Sequence, residues 1–148
     1  MIQGVIVAAV ADLALRTRLA ALAAAGEFLA VALGIRVLGA SSGVLDSSGA
    51  LAQHSGTALY ASMIYAGVFL PAPAARPWFA GAAAIAFCWL VELLQLTGVP
   101  AELSAHSLIA RLVLGVQFDA LDLAWYVVGV LPLAVLHAAV ARRRRIEA

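Results

Sequence analysis

Seven polar side chains in an otherwise apolar sequence have the types and spacing needed to bind an anion or to move a proton. They are Arg36, Glu92, Gln95, Arg111, Asp119, Asp122 and Tyr126. Glu92 and Gln95 are three residues apart, so a helix would present both side chains on one face. A carboxylate in such a place can act as a general base or as half of an ion pair. The arginines offer forks of N–H donors that fit phosphate or carboxylate oxygens.

Structural roles are also open to these side chains. Glu92 is expected to face Arg111 or Arg36, because a charged group in a membrane helix needs a partner or a wet cavity. Asp119 is placed to cap a following helix, and Asp122 to face the dipole of that helix from its first turn. The sequence leaves open whether the cluster holds helices together, binds a ligand or does both.

The composition predicts that the elements carrying these residues are membrane-spanning helices. Of the 148 residues, 65% are hydrophobic and 11% are charged, and the mean hydropathy is +1.04. Soluble domains have about a quarter of their residues charged. The single cysteine, Cys88, excludes an internal disulfide, and the scattered histidines lack metal-ligand spacing. We therefore expect one all-α integral membrane domain, over residues 1–148, with no cofactor and no metal.

Apolar runs and their interruptions predict a bundle of four transmembrane helices, with an interfacial helix between spans three and four. The spans cover residues 19–38, 57–70, 78–97 and 120–140. Span two is short for a membrane helix, so we expect it to begin a few residues before 57. The interfacial helix covers residues 103–114, which mix apolar side chains with His106 and Arg111. Three prolines break the chain over residues 71–77.

The remaining segments are predicted to be a loop and two terminal extensions. Residues 39–56, rich in Gly and Ser, are predicted to be a loop. Residues 1–18 form an N-terminal extension of the first helix, since residues 2–15 alone are short for a span. A further span there is the alternative. Residues 141–148 form a basic cytoplasmic tail.

The arginines predict the orientation of the bundle. With both termini in the cytoplasm, seven arginines lie inside and two, Arg36 and Arg111, lie outside, as the positive-inside rule requires. The seven inside are Arg16, Arg18, Arg76, Arg142, Arg143, Arg144 and Arg145. The polar cluster then lies in the outer leaflet. Glu27, near the middle of span one, either stays protonated or lines a polar route toward Glu92.

Four stretches of the sequence resemble a known family in their order. They are "GIR", "GTALYASMIYAGV", "VELLQLTGVPAEL" and "ARLVLGVQFDALDLAWYVVG". Together, across residues 16–140, they resemble small bacterial membrane proteins classed as a domain of unknown function and related to VanZ-like proteins. The resemblance points to the same seven polar residues and to Gly129. It implies a cell-envelope protein, and through VanZ a link to glycopeptide resistance. An acid often follows the glycine that opens span two in this family, whereas here Thr57 follows Gly56.

Three classes of function stay open. The first is a non-enzymatic protein of the bacterial plasma membrane whose polar cluster binds an envelope lipid or a glycopeptide-like ligand. The second is an enzyme acting on a lipid-linked phosphate or sugar, with Arg36 and Arg111 on the phosphate and Glu92 or Asp122 as base. The third is a small proton-coupled transporter, which would need a homodimer. We favour the first, with membrane lipids rather than nucleic acid as partners, since arginines beside a membrane typically anchor its topology.

Overall fold

Helices make up all the regular structure that the protein shows. The computed structural model describes residues 2–42 and 50–147, and these residues form six α-helices and no strand. The helices are α1 (Ile2–Ser42), α2 (Ala50–Val68), α3 (Pro77–Gln95), α4 (Val99–His106), α5 (Leu108–Leu114) and α6 (Asp122–Ile146). The predicted all-α fold is therefore confirmed.

Three helices, α2, α3 and α6, form the centre of the bundle, and each packs against the other two. Side-chain contacts give their directions. Thr57 of α2 contacts Asp122 and Tyr65 contacts His137, so α2 and α6 run parallel. Trp89 of α3 donates to the carbonyl of Leu123, whereas Gly81 lies beside Ala134, so α3 runs antiparallel to α6. Among the described helices α1 packs only on α2.

The two ends of the bundle differ in their charged residues. Arg18 donates from Nε to the carbonyl of Leu70, 2.9 Å away, which places Arg18 beside the turn that carries Arg76. The C-terminal arginines of α6 lie at this same end because α6 runs parallel to α2. We call it the basic end. The opposite end, which holds Glu92 and Asp122, is called the cavity end below.

Small residues let the central helices approach closely. A Cβ added at Gly129 of α6 would overlap the carbonyl oxygen of Ala58 in α2. The single hydroxyl hydrogen of Ser62 is shared at this crossing between the carbonyl oxygens of Gly129, 2.9 Å away, and Ala58, 3.0 Å away. Ala61, Ala80 and Val130 are completely buried nearby. Close packing and interhelical hydrogen bonds of this kind drive helix association in membranes.

Three of the described helices are long and apolar enough to cross a membrane, namely α1 over residues 2–38, α3 and α6. Their outward leucines, valines and phenylalanines are widely exposed, as expected where lipid covers the surface. This suggests a membrane protein. Span two, predicted over residues 57–70, is not supported as a membrane span, because α2 is not among the three. Its first half carries Gln53, His54 and Thr57, and it is the most enclosed helix of the bundle.

The predicted bounds are accurate for α3 and less so elsewhere. Span three, predicted over residues 78–97, is α3, and span four, predicted over 120–140, starts two residues later and continues to Ile146. The break over residues 71–77 is confirmed as a run of turns ending at Pro77. The interfacial helix is two helices, because Ser107 is extended and caps α5 by accepting from the Ala110 N–H.

The region between the first two helices differs most from expectation. The predicted loop over residues 39–56 is too long, since α1 continues to Ser42 and α2 begins at Ala50. The start of α2 before Thr57 agrees with the expectation for span two. Residues 43–49 lie outside the described part of the chain. The predicted extension before residue 19 is continuous with span one, and a separate span there is not seen. At 1.5 Å per residue the 41 residues of α1 measure about 60 Å, roughly twice the thickness of the hydrocarbon core.

Candidate functional site

Glu92 is the centre of the polar cluster at the cavity end. Its side chain is completely buried between α3 and the start of α6. The backbone N–H of Asp119 donates to Oε1 at 2.6 Å, and the hydroxyl of Tyr126 donates to Oε2 at 2.7 Å. Both distances are typical of hydrogen bonds to a charged acceptor. The carboxylate therefore joins α3 to α6 through two donors, at the positive end of the α6 dipole.

The turn between α5 and α6 is shaped to bring Asp119 to Glu92. It begins at Gly115, whose φ of +68° favours glycine and where a Cβ would lie 2.6 Å from Nε2 of Gln95. The same Nε2 donates to the Leu114 carbonyl at 2.7 Å, and Ser104 donates to the Gly115 carbonyl at 2.8 Å. Gln95 is thus a positioning residue for the turn, and its buried Oε1 has no hydrogen-bond partner among the residues that the structure describes.

Polar residues of α2 complete the cluster from the other side. Thr57 donates to Oδ1 of Asp122 at 3.0 Å, and Gln53 donates to Oδ2 of Asp119 at 3.1 Å. Tyr60 donates to the Val113 carbonyl of α5 at 2.8 Å. Each contact ties α2 to a different segment around the same opening. The cluster therefore holds α2, α3, α5 and α6 in a fixed arrangement.

A cavity of about 620 Å³ opens at this end of the bundle. Its wall includes residues of α1, α2, α3, α5 and α6. Six of the seven predicted site residues line it: Arg36, Glu92, Gln95, Arg111, Asp122 and Tyr126. Asp119 does not line the cavity but contacts Glu92 behind the wall. Leucines of α1 and α5 supply much of the remaining lining.

The two arginines of the cavity form no ion pair with an acid of the described residues. Within residues 2–42 and 50–147 the salt bridge found joins Arg16 and Asp12, which are four apart on α1, at 2.9 Å. The expectation that Glu92 pairs with Arg111 or Arg36 is therefore wrong. Two neutral donors already occupy both oxygens of Glu92. Arg36 and Arg111 are exposed and line the cavity from α1 and α5, so their guanidinium groups are available to an anion.

Two other expectations for acidic residues are corrected. Asp119 does not cap α6, because that helix begins at Asp122; its Oδ1 instead accepts from the Leu121 N–H at 2.9 Å within the turn. Asp122 does lie in the first turn of α6, as predicted. Glu27 is exposed on α1 and does not line the cavity, so it forms no polar route to Glu92.

Sequence reasoning left Gln53, Thr57 and Tyr60 out of the site. A signal for them was present, since these residues are spaced by four and three and so share one face of α2. Gly115 was missed as well, because no local sequence pattern predicts a left-handed glycine directly after the short helix α5. Among the described residues no three His, Cys, Asp or Glu side chains converge closely enough to hold a metal ion.

Comparison with known proteins assigns the family. The model of DUF2809, described as a protein of unknown function, matches residues 47–130. The chain belongs to the DUF2809 family. The matched residues contain α2, α3, α4, α5 and the first part of α6, hence Glu92, Gln95, Arg111, Asp119, Asp122 and Tyr126; Arg36 lies outside them. No curated protein and no solved structure matches the chain.

Proposed function

We propose that this DUF2809 protein binds the anionic headgroup of an envelope lipid in the cavity at the cavity end. One observation carries the proposal. Arg36 and Arg111 line the same cavity from different helices, and neither forms an ion pair with a carboxylate in the described residues. A phosphate bound between two guanidinium forks would receive several charge-assisted hydrogen bonds.

The acids of the cluster support binding rather than catalysis. Glu92 is completely buried and both of its oxygens accept hydrogen bonds that join α3 to α6. Using this carboxylate as a base would remove a contact on which the site depends. The role of Glu92 is therefore to set the shape of the cavity wall, and the arginines supply the attraction for the ligand.

The location and orientation of the protein are part of the same proposal. The seven arginines of the basic end and of the α1 extension would face the cytoplasm, which puts the cavity in the outer leaflet of a bacterial plasma membrane. A relation to VanZ-like proteins, and with it a glycopeptide-like ligand, rests on the sequence resemblance described above. A reporter fused after Ala148 should be active only in the cytoplasm, and activity only outside would refute this orientation.

Binding can be tested by native mass spectrometry of the detergent-solubilised protein with added phosphatidylglycerol or phosphatidylcholine. We expect phosphatidylglycerol to bind preferentially. Arg36→Gln and Arg111→Gln should each weaken its binding about tenfold, the change expected for loss of one charge-assisted hydrogen bond. Arg144→Gln at the basic end is the matched control and should leave binding unchanged. Equal affinity of all three variants would refute a headgroup site in this cavity.

An enzyme acting on a lipid-linked phosphate is the second candidate, and one observation favours it. Asp122 lines the cavity together with both arginines, and its Oδ1 accepts a hydrogen bond from Thr57. A carboxylate so placed could act as a general base toward a phosphate held by the arginines. Asp122→Asn would then abolish turnover of a lipid-linked phosphate while lipid binding persists. Retained turnover in this variant would exclude Asp122 as the base.

A further inference from the structure

Among the described residues, α1 and α5 both line the cavity without contacting each other. Leu29 and Leu33 of α1 and Leu108 and Leu112 of α5 all line the cavity, yet α1 packs on α2 alone and makes no contact with α5 in the described residues. All four leucines are also exposed. The cavity is therefore bordered by two apolar helix faces that do not meet.

Charged and apolar side chains border this gap on both sides. Arg36 lies about 10 Å further along α1 than Leu29, toward the cavity end, at 1.5 Å per residue. Arg111 stands on α5 between Leu108 and Leu112. An occupant would thus meet a guanidinium group and leucines on each helix, and on α1 the arginine lies nearer the cavity end than the leucines. A free anion would use only the arginines, whereas a lipid would use both parts.

We infer that the gap between α1 and α5 is a lateral slot through which an anionic phospholipid places one acyl chain against the leucines while its headgroup reaches Arg36 and Arg111. This inference rests on the proposed function and adds the route and the tail-binding surface. The acyl chain would enter the gap between α1 and α5 directly from the bilayer, without passing the polar cluster. The opposite side of the cavity is closed by Glu92, Tyr126 and the helices they join.

The slot can be tested with a fluorophore quenched by lipids that carry brominated acyl chains. The chain has one native cysteine, so Cys88→Ala gives a background in which a bimane label can be attached at Leu33→Cys or Leu112→Cys. The matched control is Val31→Cys, an exposed position on α1 that does not line the cavity. Vesicles contain phosphatidylcholine with a varied fraction of phosphatidylglycerol, and one of the two lipids is brominated.

At the slot positions we expect half-maximal quenching at about fivefold lower fractions of brominated phosphatidylglycerol than of brominated phosphatidylcholine, the preference expected from one basic group near an anionic lipid. At Val31→Cys the two lipids should quench equally. Adding Arg36→Gln and Arg111→Gln should abolish the preference at the slot. Equal quenching at all three positions would refute the slot.

Failure of the slot can be distinguished from failure of the proposed function. If the unlabelled protein binds phosphatidylglycerol through its arginines but the slot labels show no lipid preference, the headgroup site stands and the lateral slot is wrong. If arginine-dependent binding is also absent, the headgroup site is refuted as well. A preference at Val31→Cys equal to that at the slot would mean that anionic lipid gathers around the whole bundle, which also refutes the slot.

Discussion

The two ends of the bundle are held together in different ways. Toward the basic end, α2, α3 and α6 meet in a close-packed core of alanines, Val130 and the rings of Tyr65 and Phe69, and Tyr65 contacts His137 across it. At the cavity end the helices stand apart around about 620 Å³ of space and are joined by carboxylate, hydroxyl and amide groups. Contact between small residues leaves no room for a ligand, whereas polar bridges can hold an opening at a fixed width.

The crossing at Gly129 should be the most sensitive point of the small-residue packing. Gly129→Ala places a Cβ against the Ala58 carbonyl oxygen, so α2 and α6 must separate. Such overpacking costs about 1–3 kcal/mol or more. We expect a large loss of membrane accumulation and a lowered melting temperature in detergent. Gly67→Ala on α2 is the matched control, because nothing lies within 4 Å of the added Cβ. Equal stability of the two variants would contradict the close approach.

Mutation of the hydrogen bond between Glu92 and Tyr126 should have the next largest effect on stability. It also tests whether Glu92 is held by this hydrogen bond or by an ion pair. The amide introduced by Glu92→Gln can accept from only one of the two donors, so one buried donor loses its partner at a cost of about 1–3 kcal/mol. Tyr126→Phe removes one donor. Combined with Glu92→Gln, it should cost less than the sum of the two changes, by about 0.5–3 kcal/mol.

A matched cycle between Glu92→Gln and Arg111→Gln serves as the control for that bridge. It should be additive in thermal unfolding measurements, because no ion pair joins Glu92 and Arg111 in the described structure. Strong coupling in this second cycle, with additivity in the first, would restore the ion pair predicted from sequence.

The same contrast explains what could be predicted from the sequence. Helix α3 lies within two residues of the expected span, because an apolar run bounded by Pro77 and the Thr97–Gly98 turn leaves little choice. Positive-inside counting gave the orientation of each span, and helical spacing gave the face and depth of each polar residue within its span. Together these rules placed six polar residues at the same end of the bundle. They predicted which residues share an end of the bundle.

The partners within the cluster could not be predicted in the same way. Glu92 contacts a backbone N–H of Asp119, and that group is presented only because Gly115 is left-handed and Gln95 holds the turn. An arginine was the expected partner because residue types carry no information about backbone donors. The end of α1 was also misplaced, since Gly and Ser residues that favour loops are helical here up to Ser42.

Removing residues 2–15 should have the smallest effect on stability. The deletion tests whether the packing of the basic end depends on the α1 extension. These residues are exposed, apart from the half-buried Ala14, and they precede Arg18, whose bond to Leu70 marks the last polar contact of α1 with the basic end. The Arg16–Asp12 pair lies within α1 and is widely exposed, so it adds little. We expect the deletion to change the free energy of unfolding in detergent by less than about 0.5 kcal/mol and to leave phosphatidylglycerol binding unchanged.

Arg18→Ala in the full-length chain is the comparison. It should lower the melting temperature more than the deletion does, because it frees a carbonyl at the end of α2. A deletion that destabilises the bundle more than Arg18→Ala would show that the extension packs against the protein, and the basic end would then depend on more than its small-residue core.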